Sequence, residues 1–138
     1  MQGRKVFTNE KVLFFSLSAH VPGNNFYRRL KQRLNLDFLY ELTQSYYGRC
    51  GQPVVFFKLC LVGYLENIVS DRRLVEHCSM RLDLLFFLDY QLDEPLPWHS
   101  TLSRTRQLYP ELLFEALFNQ VFRLCVEQGM VTGHTRGP

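Results

Sequence analysis

The stretch Pro53 to Val69, PVVFFKLCLVGYLENIV, constrains the fold most. It is apolar on nearly every side of a helix, with Pro53 placed at a first helical position. A helix without a polar face lies at the centre of a fold or in a membrane. This one is shorter than the ~20 residues a span needs and carries Lys58 and Glu66. It therefore predicts a buried central helix with other helices packed around it.

The rest of the chain supplies those helices. Val21-Pro22-Gly23-Asn24-Asn25 reads as a turn that provides an N-cap. The helix behind it has Phe26, Leu30 and Leu34 on one stripe. A second helix, capped by Asn35 or Asp37, places Leu36, Leu39, Leu42 and Tyr46 inward and ends at Gly48. Ser70-Asp71 caps SDRRLVEHCSMRLDLLFFLDY, read as one helix with Leu74, Cys78, Leu82 and Leu85 buried. The tight turn between it and the central helix makes a helix-turn-helix frame. QLDEPLP is a loop. A helix from about Pro97 follows, with Trp98, Leu102, Thr105 and Tyr109 inward. The last helix starts at Pro110-Glu111 and buries Phe114, Leu117, Val121 and Leu124, broadened by Leu113, Phe118 and Cys125. Gly129 stops it.

The expected architecture is all-α, a single domain of about six helices with a helix-turn-helix-like core. Residues 1–20 form an extended N-terminal arm, strand-like or packed on the core; 21–132 are the helical domain; 133–138 are a polar tail. Hydrophobic residues at 46% and aromatics at 14% exclude a disordered chain.

Charge is distributed unevenly, although the net value is only +3. Arg28, Arg29, Lys31 and Arg33 put four cations within six residues, with no acid among them. Ser100, Ser103, Arg104 and Gln107 make an outward stripe on the 97–108 helix, flanked by His99 and Arg106, with Thr101 beside them. Arg72 and Arg73 stand at the exposed start of their helix. Hydroxyls and guanidinium groups donate to phosphate oxygens, and arginine reads guanine edges in a major groove. The plain alternative is a set of solvated helix faces.

Other chemistries find little support. Cys50, Cys60, Cys78 and Cys125 form no C-x-x-C pair and read as reduced thiols in a cytoplasmic protein. A zinc site built from His77, Cys78 and His99 matches no ligand spacing. Asp89, Asp93 and Glu94 read as a solvated acidic turn rather than a divalent-metal site. His77 is structural by default, and His134 lies in the tail. No P-loop, G-x-G-x-x-G, G-x-S-x-G or H-E-x-x-H occurs, so no enzymatic activity is expected. Arg4, Lys5 and Lys11 before VLFFSLSA imitate a signal peptide, but the apolar run is short, interrupted by serine and preceded by Glu10.

Several stretches, in this order, look alike to one family: VPGNNFYRRLKQRLNLDFLYEL, PVVFFKLCLVGYLENIVSDRRLVEHCSMRLDLLFFL and LDEPLPWHSTLSRTRQLYPELLFEALFNQV. From about Val21 to Gly133 the chain resembles the N-terminal, InsH-type domain of bacterial insertion-sequence DDE transposases. SDRRLVE, the LDEP-x-P loop, HSTLSR and the final LFEALF helix carry the resemblance most specifically. It implies a domain that binds the terminal inverted repeats of an element, hence double-stranded DNA as partner. The family's RNase H-like domain holds two aspartates and a glutamate around two Mg²⁺ ions. This chain departs from the family after Gly133-His134-Thr135, where the first catalytic aspartate would follow, and in a shortened loop before Pro53. The expectation is a truncated chain with no cofactor, whose acids inherit no catalytic role. DNA contact is expected from His99, Ser100, Thr101, Ser103, Arg104 and Arg106, and phosphate contact from Arg28, Arg29, Lys31, Arg33, Arg72 and Arg73. The alternative is a helical interaction module that associates with itself or with an intact transposase through Phe114, Phe118 and Phe122.

Overall fold

In a computed structural model, residues 3–35, 37, 41 and 53–130 are described. They hold seven α-helices and no strand. The helices are α1 (Leu17–His20), α2 (Phe26–Arg33), α3 (Pro53–Glu66), α4 (Asp71–Ser79), α5 (Leu82–Leu88), α6 (His99–Arg106) and α7 (Glu111–Glu127). The helix expected to end at Gly48 falls, apart from Asp37 and Glu41, outside the described residues, as does the 133–138 tail.

Helix α3 lies at the centre, as its all-round apolar sequence requires. Every residue from Phe56 to Val62 is buried. Phe57 packs edge-on to Tyr109 at 5.0 Å between ring centroids and lies 5.5 Å from Phe114. Gly63 lets α4 come close. A Cβ there would stand 3.2 Å from the Ile68 carbonyl and 3.3 Å from a Leu74 methyl.

Helix α2 is capped by Asn25, whose Oδ1 accepts from the amides of Tyr27 at 3.0 Å and Arg28 at 3.1 Å. Tyr27 and Leu30 are its buried residues, while Phe26 and Leu34 of the expected stripe pack only in part. The Tyr27 hydroxyl explains its place, donating to Glu66 Oε2 at 2.6 Å. Burial, reinforced by Glu66, pushes this phenol far above its ordinary value, so it stays a donor. His77 Nε2 lies 3.2 Å from Glu66 Oε1, a structural histidine as expected.

The single helix expected from Ser70 onward is two. Ser70 caps α4 by accepting from the Arg73 amide, and Leu74 and Cys78 are buried as anticipated. The chain then breaks at Met80 and Arg81, where Arg81 is extended. An unbroken helix would turn roughly 220° from Leu74 to Phe87 and put that ring on the far side. The break re-phases the pattern, so Leu84, Leu85, Phe87 and Leu88 are all buried. Arg81 anchors the break with paired bonds to Asp83 at 2.9 and 2.8 Å.

Helix α7 buries Leu113, Leu117, Val121 and Cys125. Phe114 and Phe118 flank that line rather than lead it. Phe118 stacks on Tyr64 at 4.6 Å, and Phe114 meets Phe56 and Phe57. With Phe122 also half-buried, the aromatic side chains of this helix form no open surface. Gly129, with φ +69, ends it as expected.

The arm is neither a strand nor packed on the core. Residues 3–16 have no helix or strand, and Val12 and Phe14 are fully exposed. α1 follows, capped by Ser16, whose Oγ accepts from the Ala19 amide at 3.2 Å.

Candidate nucleic-acid interface

The 97–108 segment becomes α6, and its first turn begins at His99, two residues later than Pro97. That shift moves Trp98 off the inner stripe to the N-cap, where it is 76% exposed. Leu102 and, beyond the helix end, Tyr109 are buried as expected; Thr105 is half-buried.

Two of the expected outward residues point to α4. The Ser103 hydroxyl lies 2.7 Å from Asp71 Oδ2 and 3.0 Å from the His99 carbonyl. Arg106 Nη2 donates to Asp71 Oδ1 at 2.5 Å. The Asp71 carboxylate is largely covered, with 15% of its side chain exposed. One carboxylate in the first turn of α4 thus receives two donors from α6. An anion is favoured there by the partial positive charge at a helix start. Sequence reasoning took Asp71 only as part of a cap; no local signal announces a partner 32 or 35 residues away.

The remaining polar groups of the pair face outward. Ser100, Thr101 and Arg104 are exposed, and Arg104 Nη2 makes only a long 3.5 Å contact with Thr101 Oγ1. The side chains of Arg72 and Arg73 are exposed and have no hydrogen-bond or ion-pair partner among the described residues. Arg72 and His99 line one cleft, about 340 Å³ in volume, between the start of α6 and α4.

The α2 cations divide likewise. Arg28 Nη1 donates to the Ser18 carbonyl at 2.6 Å and the Val21 carbonyl at 3.0 Å, and its guanidinium lies 4.9 Å above the Phe86 ring. Lys31 donates to the Phe86 carbonyl at 2.8 Å and to Asp89 Oδ1. Arg29 and Arg33 have no such partner among the described residues, and Arg33 lines a cavity of about 510 Å³ against α7. α2 packs on α5, and α6 on α4, so the two cationic groups belong to different helix pairs.

Asp89 is exposed together with Asp93 and Glu94, as a solvated acidic turn requires, but it is also an ion-pair partner. It gathers Lys31 and the buried Lys58, whose Nζ is 2.8 Å from the Phe87 carbonyl and 3.4 Å from Asp89 Oδ2. Burial lowers the Lys58 pKa, and Asp89 opposes that shift. Both ammonium groups thereby satisfy carbonyls at the C-terminal end of α5, where cations are favoured. Burial pushes the Cys60 and Cys78 thiols up to about 12, so they remain neutral packing groups. No group of three potential metal ligands occurs among the described residues. None of the described helices is long and apolar enough to cross a membrane.

Comparison with known proteins bears on this arrangement. No curated protein and no solved structure matches the chain. A family model described as a transposase domain (DUF772) matches residues 15–108, from just before α1 to just past α6. The match includes both helix pairs and stops short of α7. Covering about two thirds of the chain, it identifies this protein as a member of the transposase domain family DUF772.

Proposed function

We propose that this domain binds double-stranded DNA at transposon ends through the α4–α6 pair, as the InsH-type DNA-binding part of an insertion-sequence transposase. The observation that carries the proposal is an acid-free α6, braced on Asp71, whose exposed residues are Ser100, Thr101 and Arg104. Arg72 and Arg73 flank the brace at the start of α4. Small hydroxyls beside arginines let a helix approach phosphates closely while donating to them. In this reading Ser103 and Arg106 hold α6 in place, and His99, Ser100, Thr101, Arg104, Arg72 and Arg73 meet the DNA. Arg29 and Arg33 add phosphate contacts from α2, while Arg28 and Lys31 fix that helix. The domain performs no strand cleavage; that chemistry belongs to the family's RNase H-like domain and its Mg²⁺ ions.

Fluorescence anisotropy with a labelled inverted-repeat duplex and a scrambled duplex, at several salt concentrations, tests this. The repeat should bind more tightly, and affinity should fall as salt rises. Removing Arg72 and Arg104 together should lower the salt slope by about 0.9 for every phosphate no longer neutralised. An unchanged slope would remove α6 from the interface.

A second reading, self-association, draws on the arm rather than on the aromatics of α7. Val6, Phe7, Val12 and Phe14 are each more than three quarters exposed. Light scattering after size exclusion would show a dimer if the arm pairs two chains, and a monomer at all concentrations if it does not.

A further inference from the structure

Trp98 is the chain's one tryptophan, and 76% of it lies open to solvent. Its backbone is well fixed. The Trp98 carbonyl accepts from the Leu102 amide at 3.1 Å, closing the first turn of α6, and Pro97 restricts the other side. The indole is thus a flat ring carried into solvent from a fixed backbone position at the start of the helix proposed to meet DNA. Beside it lies the cleft of about 340 Å³, whose wall is mainly apolar and includes Val75 and Leu96. Arg72 and His99 stand on its margin, and Glu76 adds one carboxylate.

This combination selects its ligand. An apolar slot with a flat ring at its edge takes a flat aromatic group. The Arg72 cation at the margin, with the His99 imidazole beside it as a hydrogen-bonding group, calls for an anion attached to that group. A nucleobase on its phosphodiester chain has both parts. An extended peptide would need a row of backbone donors along the cleft; one wall is α4, whose backbone groups bond within the helix, and the other is the 95–98 segment, where Pro95 and Pro97 carry no N–H.

We propose that the Trp98 cleft receives one unstacked nucleobase of the bound DNA, with the base against the indole and its phosphate near Arg72 and His99. The proposal rests on the DNA-binding reading above and adds to it a sensitivity to distorted or unpaired positions. Unstacking a base costs least where it is bulged or mispaired, so the cleft favours such sites over a continuous duplex. Stacking on an aromatic side chain tolerates every base. Glu76 can accept a hydrogen bond from the exocyclic amine of cytosine, which thymine lacks, and ranks cytosine above thymine.

The test uses the full chain and three duplexes of one sequence: fully paired, with one bulged cytosine, and with an abasic residue at the bulge. The bulged cytosine should bind about tenfold more tightly than the abasic bulge, within the range a single base–aromatic stack supplies. Emission from Trp98 should be quenched by the bulged cytosine and not by the abasic bulge. Trp98→Ala should bring the two bulges to equal affinity, and Trp98→Phe should restore part of the difference. Equal affinity in the unaltered protein would overturn the cleft and leave the DNA-binding reading standing. Failure to bind any of the three duplexes would overturn both. A shift of Trp98 emission with protein concentration alone would show a second copy covering the cleft, and would also overturn the proposal.

Discussion

Helices α2 and α6 both carry cations without a single acid, and they use them differently. On α2, Arg28 and Lys31 point into the protein and bind main-chain carbonyls of Ser18, Val21 and Phe86. They hold the turn before α2 and the end of α5. On α6 only Arg106 is engaged in this way, and its partner is a side-chain carboxylate from α4. Arg104 stays outside. Density of positive charge in the sequence is therefore a poor guide to which cations meet a polyanion. The orphan carbonyls at helix ends compete for the same donors.

The sharpest way to break this comparison is to remove the engaged cations of α2. The Arg28→Ala/Lys31→Ala double variant should lose about 2 kcal/mol, since charge-assisted hydrogen bonds contribute most where they are partly shielded from water. Arg29→Ala/Arg33→Ala should stay within about 0.5 kcal/mol of the parent. Urea denaturation compares the two, and equal losses would erase the distinction.

Asp71→Ala should cost slightly less, on the order of 1.5 kcal/mol, because one acceptor serves both Ser103 and Arg106. It should also weaken DNA binding, although Asp71 itself is an anion. A variant that bound DNA more tightly would make Asp71 a repulsive surface charge and not a brace.

Acid should reveal the two carboxylates at either end of α5. Burial alone pushes Asp83 up, but hydrogen bonds from Arg81 and Asn25 outweigh it and hold the carboxyl below the usual range. Asp89 is likewise pushed up by burial and brought below its ordinary value by Lys31 and Lys58. Their contribution is complete above about pH 5, where the unfolded carboxyls are almost fully ionised. It is lost as pH falls through the lowered folded values, because the unfolded chain takes up protons first. Thermal melts between pH 6 and 2.5 should show this decline, and Asp83→Asn should flatten part of it. The smallest expected effect belongs to Arg72→Ala/Arg104→Ala. Its melting temperature should match the parent's while its affinity for DNA falls, which separates surface cations from braces.

The fold was legible wherever local chemistry decides it. The apolar circumference of α3, the Asn25 and Ser70 caps, Leu74 and Cys78, and Gly129 all stand where periodicity and capping place them. The break at Met80–Arg81 was hidden. Its cause is the need to bury Phe87, together with long-range polar contacts of Arg81 that leave no mark on the local pattern. The candidate site divides the same way. Ser100 and Arg104 lie on the outer surface as their spacing implies, with Thr101 exposed beside them, whereas Ser103 and Arg106 turn to Asp71 across more than thirty residues. Trp98 lay within reach of sequence reasoning. Starting the helix after Pro97-Trp98, rather than at Pro97, takes its side chain off the inner stripe.

Asp89 shows how narrowly one position can be restricted. It ends α5 with φ 64 and ψ 39, a left-handed backbone, while its carboxylate receives Lys31 and Lys58. Glycine adopts that backbone freely but leaves both lysines without their counter-charge. Asparagine tolerates it and remains neutral. Glutamate restores the charge but does not share the tolerance of aspartate and asparagine for left-handed geometry. Of the twenty amino acids, aspartate alone meets both demands, so random replacement here should be tolerated far less often than the residue's exposed position implies.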